Sequence, residues 1–199
     1  MKELIRKTAF TALAAAAGAI LLGTAVFMLF FPSAVSEGAY RMGMYKVSAT
    51  FARNAYEKYG GTDSLKILVE RAIIAGKHDL TADYAPVFIN DAEFDKICGE
   101  EDGKNKDERV GRYRYYVTGN LAVAQYLCGQ RERSLETVVI HTVKYERFNA
   151  LEYLLKAVID AGDKTFASAL LSEMEGFSFE GEEAELLEKD KNILRAFIG

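Results

Sequence analysis

Several kinds of residue are scarce in this chain of 199 amino acids, and each scarcity excludes a class of protein. Two prolines and no tryptophan disfavour a sandwich or barrel built from many short strands and turns. Two cysteines are too few for a disulfide-stapled scaffold, and no cysteine–histidine spacing matches a zinc site. A net charge of −4 disfavours a nucleic-acid binder, which normally carries a basic surface.

Residues that carry catalytic chemistry are equally sparse. The two histidines, His78 and His141, belong to no motif, and nothing near Cys98 or Cys128 predicts an activated thiol. The sequence also lacks a calcium-binding loop and a glycine-rich phosphate loop. We therefore expect no enzyme activity, no cofactor and no metal. For a domain outside the cell, a disulfide between the two cysteines is an alternative to two free thiols.

The longest run without a charged residue extends from Thr8 to Phe31 and has 24 positions, TAFTALAAAAGAILLGTAVFMLFF. As a helix it is about 36 Å long, enough to cross a bilayer core of about 30 Å. A signal peptide cleaved near Ala34-Val35-Ser36 and a buried core helix are the alternatives. We expect an uncleaved transmembrane helix, with residues 1–31 as flank and anchor and residues 32–199 as the main domain.

The charges that flank this run predict its orientation. Lys2, Arg6 and Lys7 precede it closely, whereas Arg41 and Lys46 follow at a greater distance. Because positively charged flanks stay in the cytoplasm, we expect a cytoplasmic N-terminus and an extracytoplasmic domain.

Small residues recur at four-residue spacing within the run, at Ala15, Ala19 and Gly23. Such a stripe lets two helix backbones approach closely, so it is a candidate packing surface for a homodimer in the membrane. The alternative interpretation is that alanine is simply frequent in this segment.

The rest of the chain contains a repeat centred on four glycines. Gly43, Gly76, Gly129 and Gly162 are separated by 33, 53 and 33 residues, so the middle interval holds one period plus 20 extra residues. Three further columns keep their residue character: aliphatic eight before each glycine (Val35, Leu68, Leu121, Leu154), small five after (Ser48, Thr81, Ser134, Ala167), and small or aliphatic nine after (Ala52, Ala85, Val138, Leu171). The pattern predicts pairs of antiparallel helices that turn at the glycines.

These columns resemble the tetratricopeptide repeat, a helix–turn–helix unit of about 34 residues that stacks into a solenoid. The match is best at Gly43-Met44-Tyr45-Lys46-Val47-Ser48, and the resemblance covers residues 32–175. It implies an all-α solenoid of about four units. The chain departs from the family pattern because it lacks the early large aromatic residue and the proline between units. Pro86 instead falls within a predicted second helix, which it should kink or shorten.

Two segments lie outside the repeat. Residues 92–111, AEFDKICGEEDGKNKDERVG, hold the 20 extra residues, and their glycines and charges predict a solvated loop with a short helical turn near 92–98. Residues 180–198 place apolar side chains on one helical face, which predicts a helix that caps the last unit.

The first helices of the units are expected to line the concave face of the solenoid. The segment Gly111-Arg112-Tyr113-Arg114-Tyr115-Tyr116 adds arginine and tyrosine, which are enriched in binding hot spots. Its alternative interpretation is a helix start whose tyrosines pack internally. The candidate partner-binding residues are Lys66, Glu70, Arg112, Arg114, Tyr116, Asn120, Tyr126, Tyr153 and Lys156.

Mixed charge and tyrosine favour a protein or peptide partner over a lipid or a nucleic acid. Because the predicted first helix of unit one begins where the apolar run ends, the domain should stay close to the bilayer. We therefore expect a membrane-anchored scaffold or assembly factor with a membrane-embedded or membrane-proximal partner. The alternative is a structural subunit of a larger membrane complex that has no free ligand groove.

Overall fold

The computed structural model of this chain describes residues 2–104, 111–147 and 149–199, with side chains from Ala16 onward. Within these residues the protein is all-α, as expected. The described residues form eleven helices: α1 (Lys2–Phe30), α2 (Pro32–Arg41), α3 (Tyr45–Tyr59), α4 (Thr62–Ile74), α5 (His78–Ile89), α6 (Phe94–Lys104), α7 (Arg112–Leu127), α8 (Arg131–Tyr145), α9 (Asn149–Asp160), α10 (Lys164–Glu175) and α11 (Glu182–Ile198).

Eight of these helices form four helix–turn–helix pairs: α2 with α3, α4 with α5, α7 with α8, and α9 with α10. The second helix of each pair also packs against the first helix of the next pair, so α3 contacts α4, α5 contacts α7 and α8 contacts α9. The final helix, α11, packs on α10 and α9 and contributes Leu187 and Leu194 to the core. The chain therefore has a helical-repeat arrangement.

Each pair turns at one of the four predicted glycines. Gly43 has a φ of 74°, its amide donates to the Tyr40 carbonyl, and the Met44 amide donates to the Ala39 carbonyl, both at 2.9 Å. The same two hydrogen bonds and a positive φ recur at the other three turns. Glycine is favoured there because a β-carbon is strained in the left-handed region, and the two bonds satisfy carbonyls at the helix end. The predicted turns are confirmed.

The column of small residues lies where the paired helices cross. Ser48, Thr81, Ser134 and Ala167 are at most 2% exposed. Their tight burial leaves no room for a larger side chain, since the neighbouring helix occupies the space that it would need. Of the aliphatic column eight positions before each glycine, three members are buried and Val35 is half-buried.

The prediction of a solvated loop over residues 92–111 is wrong for most of the segment. Phe94–Lys104 forms α6 rather than a solvated loop, because Phe94, Ile97 and Cys98 lie on one helical face and are buried. They belong to the same core cluster as residues of α4, α5 and α7. Residues 105–110 of the predicted loop lie outside the described residues. Pro86 lies inside α5, which ends three residues later at Ile89.

The chain turns sharply between α1 and α2. Pro32 opens α2, where its missing N–H costs no hydrogen bond, and the axes of Ala16–Phe30 and Pro32–Arg41 differ by 103°. In the part of the chain that the structure describes with side chains, no single helix is long and apolar enough to cross a membrane. This bent pair meets the same criterion of length and composition jointly.

Candidate binding surfaces

The first helices of the units bring tyrosines together on one face, here called the tyrosine face and defined by Tyr40, Tyr116 and Tyr153. Burial, with smaller contributions from nearby Glu70, Tyr153 and Tyr40, raises the pKa of Tyr116 to about 12. The ring of Tyr153 on α9 packs against Gly119 on α7, where an added β-carbon would lie 2.6 Å from the ring. Glycine at position 119 therefore permits the close approach of α7 and α9.

Two of the predicted groove residues, Lys66 and Glu70, are occupied by contacts within the chain. The Lys66 ammonium lies 3.2 Å from a Glu70 carboxylate oxygen and 2.9 Å from one of Glu101 on α6. The Tyr113 hydroxyl donates to Glu70 at 2.9 Å. This network joins α4, α6 and α7, so it positions the inserted helix as well as contributing charge to the face.

Two other candidates do not lie on the tyrosine face. Tyr126 is 7% exposed, its ring lies 5.0 Å from that of Phe166, and its hydroxyl donates to Asp163. Arg114 points between α6 and α8, where its Nη1 donates to Asp95 at 2.5 Å and to the Tyr145 hydroxyl at 2.8 Å. Both side chains contribute through these contacts to the packing of the array.

The remaining candidates stay accessible on α7 and α9. Arg112, Tyr153 and Lys156 are exposed. Tyr116 and Asn120 are half-buried, and the Asn120 side-chain amide donates to the Tyr116 carbonyl. These five residues are what the structure leaves of the predicted groove.

Sequence reasoning missed the contact that joins the first two units on this side. The Arg71 guanidinium lies 3.2 Å from the centre of the Tyr40 ring, and its Nη2 donates to Glu37 at 3.0 Å. Arginine stacks readily on aromatic rings while keeping its hydrogen bonds in plane. Nothing in the spacing of Arg71 along the chain signals this role.

A second feature that the sequence did not reveal is a cavity of about 220 Å³ between α5, α6, α7 and α8. Its wall includes His141, which is 5% exposed, and Thr118, which is 3% exposed. Neither ring nitrogen of His141 nor the Thr118 hydroxyl has a hydrogen-bond partner among the described residues. Burial, with further contributions from Arg114 and Lys144, lowers the pKa of His141 to about 4.

The third feature is the junction between α1 and the array, here called the α1 clamp and defined by Lys58 and Tyr59 at the end of α3. The Tyr59 hydroxyl donates to the Phe30 carbonyl at 2.8 Å, and the Lys58 ammonium donates to the Leu29 carbonyl at 3.0 Å. The ammonium also lies 5.1 Å from the centre of the Phe30 ring. The last carbonyls of a helix have no partner within it, so these bonds attach the end of α1 to α3.

Beyond the clamp, α1 exposes apolar surface. Its large apolar side chains and Phe31 are 41–71% exposed: Ile20, Leu21, Leu22, Val26, Phe27, Met28, Leu29, Phe30 and Phe31. Of the small-residue stripe, Ala19 and Gly23 are exposed, and the side chain of Ala15 lies outside those described. Soluble proteins rarely expose a contiguous apolar surface of this kind without a binding role.

The described residues contain no group of three or more side chains suited to hold a metal ion. The two thiols are free, with Cys98 buried and Cys128 exposed. Burial raises the pKa of Cys98 to about 12, which keeps it protonated and unreactive. Comparison of the chain with protein-family models, curated proteins and solved structures finds no match.

Proposed function

We propose that this protein is a membrane-anchored, tetratricopeptide-like module that binds a protein or peptide at the membrane surface, as a scaffold or assembly factor. The observation that carries the proposal is the exposed apolar surface of α1, together with the uncharged run from Thr8 to Phe31. Lipid suits such a helix, since the transfer of each apolar side chain from water into the bilayer core lowers the free energy.

The α1 clamp and the turn at Pro32 support a fixed placement of the array. With the axes of α1 and α2 at 103°, a helix along the bilayer normal directs α2 along the membrane surface. Lysine and tyrosine at the clamp suit the headgroup region, where both side chains are commonly found. The partner is therefore membrane-embedded or membrane-proximal, because the domain cannot reach far from the bilayer.

The binding surface that we propose is the accessible part of the tyrosine face on α7 and α9. Its exposed Tyr153 and Arg112 are of the residue types that supply most of the free energy at protein interfaces. A photo-crosslinking amino acid in place of Lys156 should give an adduct with one membrane partner in cells.

The matched control for this experiment is the same replacement at Glu136, which is exposed on α8, the second helix of its unit. The proposal predicts no adduct with that partner from position 136. Equal adducts from both positions, or none from position 156, would exclude the tyrosine face as the binding surface.

A structural subunit of a larger membrane complex is the second candidate. It is favoured by Ile140 and Val143 on α8, which are 57% and 66% exposed and lie away from the tyrosine face. In such a complex, neighbouring subunits would cover both the tyrosine face and the apolar surface at Ile140 and Val143. Purification from detergent-solubilised membranes distinguishes the two functions, since a subunit carries the same partners at fixed stoichiometry in every preparation.

The proposed orientation places the N-terminus in the cytoplasm and the array outside it. Cys128 provides a native probe, because it is exposed whereas Cys98 is buried. A membrane-impermeant maleimide should label the chain in intact spheroplasts, and the Cys128→Ser variant should lose the label. Labelling only after lysis would show the opposite orientation, and it would not contradict the membrane anchor.

A further inference from the structure

The cavity between α5, α6, α7 and α8 has the features of a ligand site, and it is separate from the tyrosine face. Buried polar atoms in proteins are nearly always hydrogen-bonded, so an unpartnered group on a cavity wall calls for an occupant. Here there are three such atoms, the two ring nitrogens of His141 and the hydroxyl oxygen of Thr118. Both side chains are more than nine-tenths buried and line the same space.

The charge of the cavity wall selects an anion. Arg114 and Lys144 line it, and the described lining residues include no aspartate or glutamate. Asp95 pairs with the Nη1 of Arg114, which leaves a net charge of about +1 at the site. A monoanion balances that charge, whereas a phosphate monoester would bring about two negative charges at pH 7.

The rest of the wall is mixed: Asn90, Gln125, Thr137 and Tyr145 add polar groups, and five apolar residues form a continuous set of contacts for a hydrocarbon chain. Phe94 on α6, Leu121 on α7 and Ile89 on α5 face the cavity, with Pro86 and Ile140 beside them. An anion without an apolar part would leave this surface without contacts, and a peptide is too large for about 220 Å³. The occupant therefore combines one charged end with a short hydrocarbon chain.

We propose that this cavity binds a small aliphatic monocarboxylic acid, with its carboxylate toward Arg114, Lys144 and His141 and its chain against Phe94 and Leu121. The guanidinium and the ammonium supply charge-assisted hydrogen bonds, and the neutral imidazole supplies one N–H donor. The apolar wall then sets the preferred chain length. The site lies between the second helices α5 and α8, the first helix α7 and the inserted α6, so it depends on the fold of this chain rather than on the membrane anchor.

Hexanoate is the probe, and the two histidines report its binding. In the full-length chain in nanodiscs, hexanoate should shift the imidazole NMR signals of His141 in a saturable way. His78 is exposed on α5 and outside the cavity, so its signals should stay in place. Hexanoate added to empty nanodiscs corrects for partition into lipid. No saturable shift of His141 would overturn the proposal.

Ligand chemistry is tested by analogues. Hexanol, which keeps the chain but lacks the charge, should bind at least tenfold more weakly than hexanoate. Shortening the acid to butanoate should weaken binding about fourfold for each methylene lost. Equal affinity for hexanol would show a purely apolar cavity, and equal affinity for acetate would show a surface ion contact. Each of these results would contradict the proposal.

Side chains are tested with variants that keep the packing. Lys144→Met should weaken hexanoate binding at least threefold, because Lys144 is exposed at the cavity mouth and supplies charge there. Lys189→Met on the exposed surface of α11 is the matched control and should bind as the parent chain does. Thr118→Val, which is close in shape, provides a second test inside the cavity. Unchanged affinity in both Lys144→Met and Thr118→Val would overturn the assignment.

Discussion

The hydroxyl of Ser134 on α8 donates a hydrogen bond of 2.7 Å to the carbonyl oxygen of Ala122 on α7. The hydroxyl of Ser48 on α3 makes the equivalent bond of 2.9 Å to the carbonyl oxygen of Ser36 on α2. In both pairs twelve residues separate donor and acceptor, so the bond is a repeated feature of the unit. Ala167 takes this place in the fourth unit without a hydroxyl. Small volume is therefore the common requirement at this column.

Replacing Ala167 with phenylalanine should overpack the crossing of α9 and α10. Ala167 is fully buried, so the added ring must displace neighbouring helices, at a cost of about 1–3 kcal/mol in the free energy of unfolding. Chemical denaturation of the full-length chain measures the change. The control is Ala169→Phe, two residues along the same helix and exposed, which should alter stability little. Equal effects of the two variants would contradict the packing of this unit.

Two glycine-to-alanine substitutions should change the stability of the chain in opposite directions. Gly129→Ala should destabilise the chain by about 1–2 kcal/mol, because a φ of 78° is strained for alanine. Gly99→Ala lies inside α6 with open space around the new methyl group, so it should stabilise the chain by about 0.5–1 kcal/mol. Denaturation midpoints measured side by side test both. A loss of stability at Gly99 would argue against a helix over Phe94–Lys104.

The α1 clamp should limit local unfolding at the start of α2. In the double variant Lys58→Met with Tyr59→Phe, the carbonyls of Leu29 and Phe30 lose their partners from α3. Hydrogen–deuterium exchange of the amides at 33–36 should then become faster, while exchange in α9 stays the same. Lys46→Met, an exposed change elsewhere on α3, is the control. Unchanged exchange in the double variant would mean that the clamp does not hold the junction.

Stability should depend on pH through His141. Its pKa of about 4 in the folded chain lies below its ordinary value of 6.5, so the unfolded chain binds the proton more readily. Stability is therefore complete above pH 6.5 and decreases as the pH falls toward 4, by about 3 kcal/mol in total. The ionisable groups around the ring are Arg114, Tyr115, Lys144 and Tyr145, and Arg114 in turn pairs with Asp95 on α6.

The free energy of unfolding of the full-length chain, measured between pH 4 and pH 7, tests this dependence. His141→Phe should remove most of the slope, because phenylalanine keeps the ring but does not titrate. His78→Phe should leave the slope unchanged, since His78 is exposed. The same slope in the parent chain and in His141→Phe would show that other groups control acid sensitivity.

The glycine turns were predictable from the sequence because their cause is local. Gly43 and its three equivalents need a positive φ, and no other residue adopts it as easily, so the spacing is preserved along the chain. The small residues that follow were predictable for a similar reason, since each faces the helix preceding it in its own unit. Sequence periodicity therefore identifies residues whose role depends only on contacts within their own unit.

Features that depend on contacts between distant segments were not predictable. The helix α6 has a mostly charged sequence, and its burial rests on Phe94, Ile97 and Cys98 meeting helices from two units. Arg114 and Tyr126 are of residue types common at binding surfaces, yet both side chains pack against neighbouring helices. His141 gave no signal either, because a single histidine in a helix acquires a role only from the cavity that other elements form around it.

The central claim is that α1 holds this helical-repeat domain in the membrane, and alkaline extraction of membranes tests it most directly. Membranes from cells that make the full-length chain are washed with carbonate at high pH, which removes peripheral proteins. The account predicts that the chain stays in the membrane pellet and that a Leu21→Arg, Leu22→Arg variant, charged within the apolar run, is largely lost from it. Release of the parent chain into the wash would contradict the account.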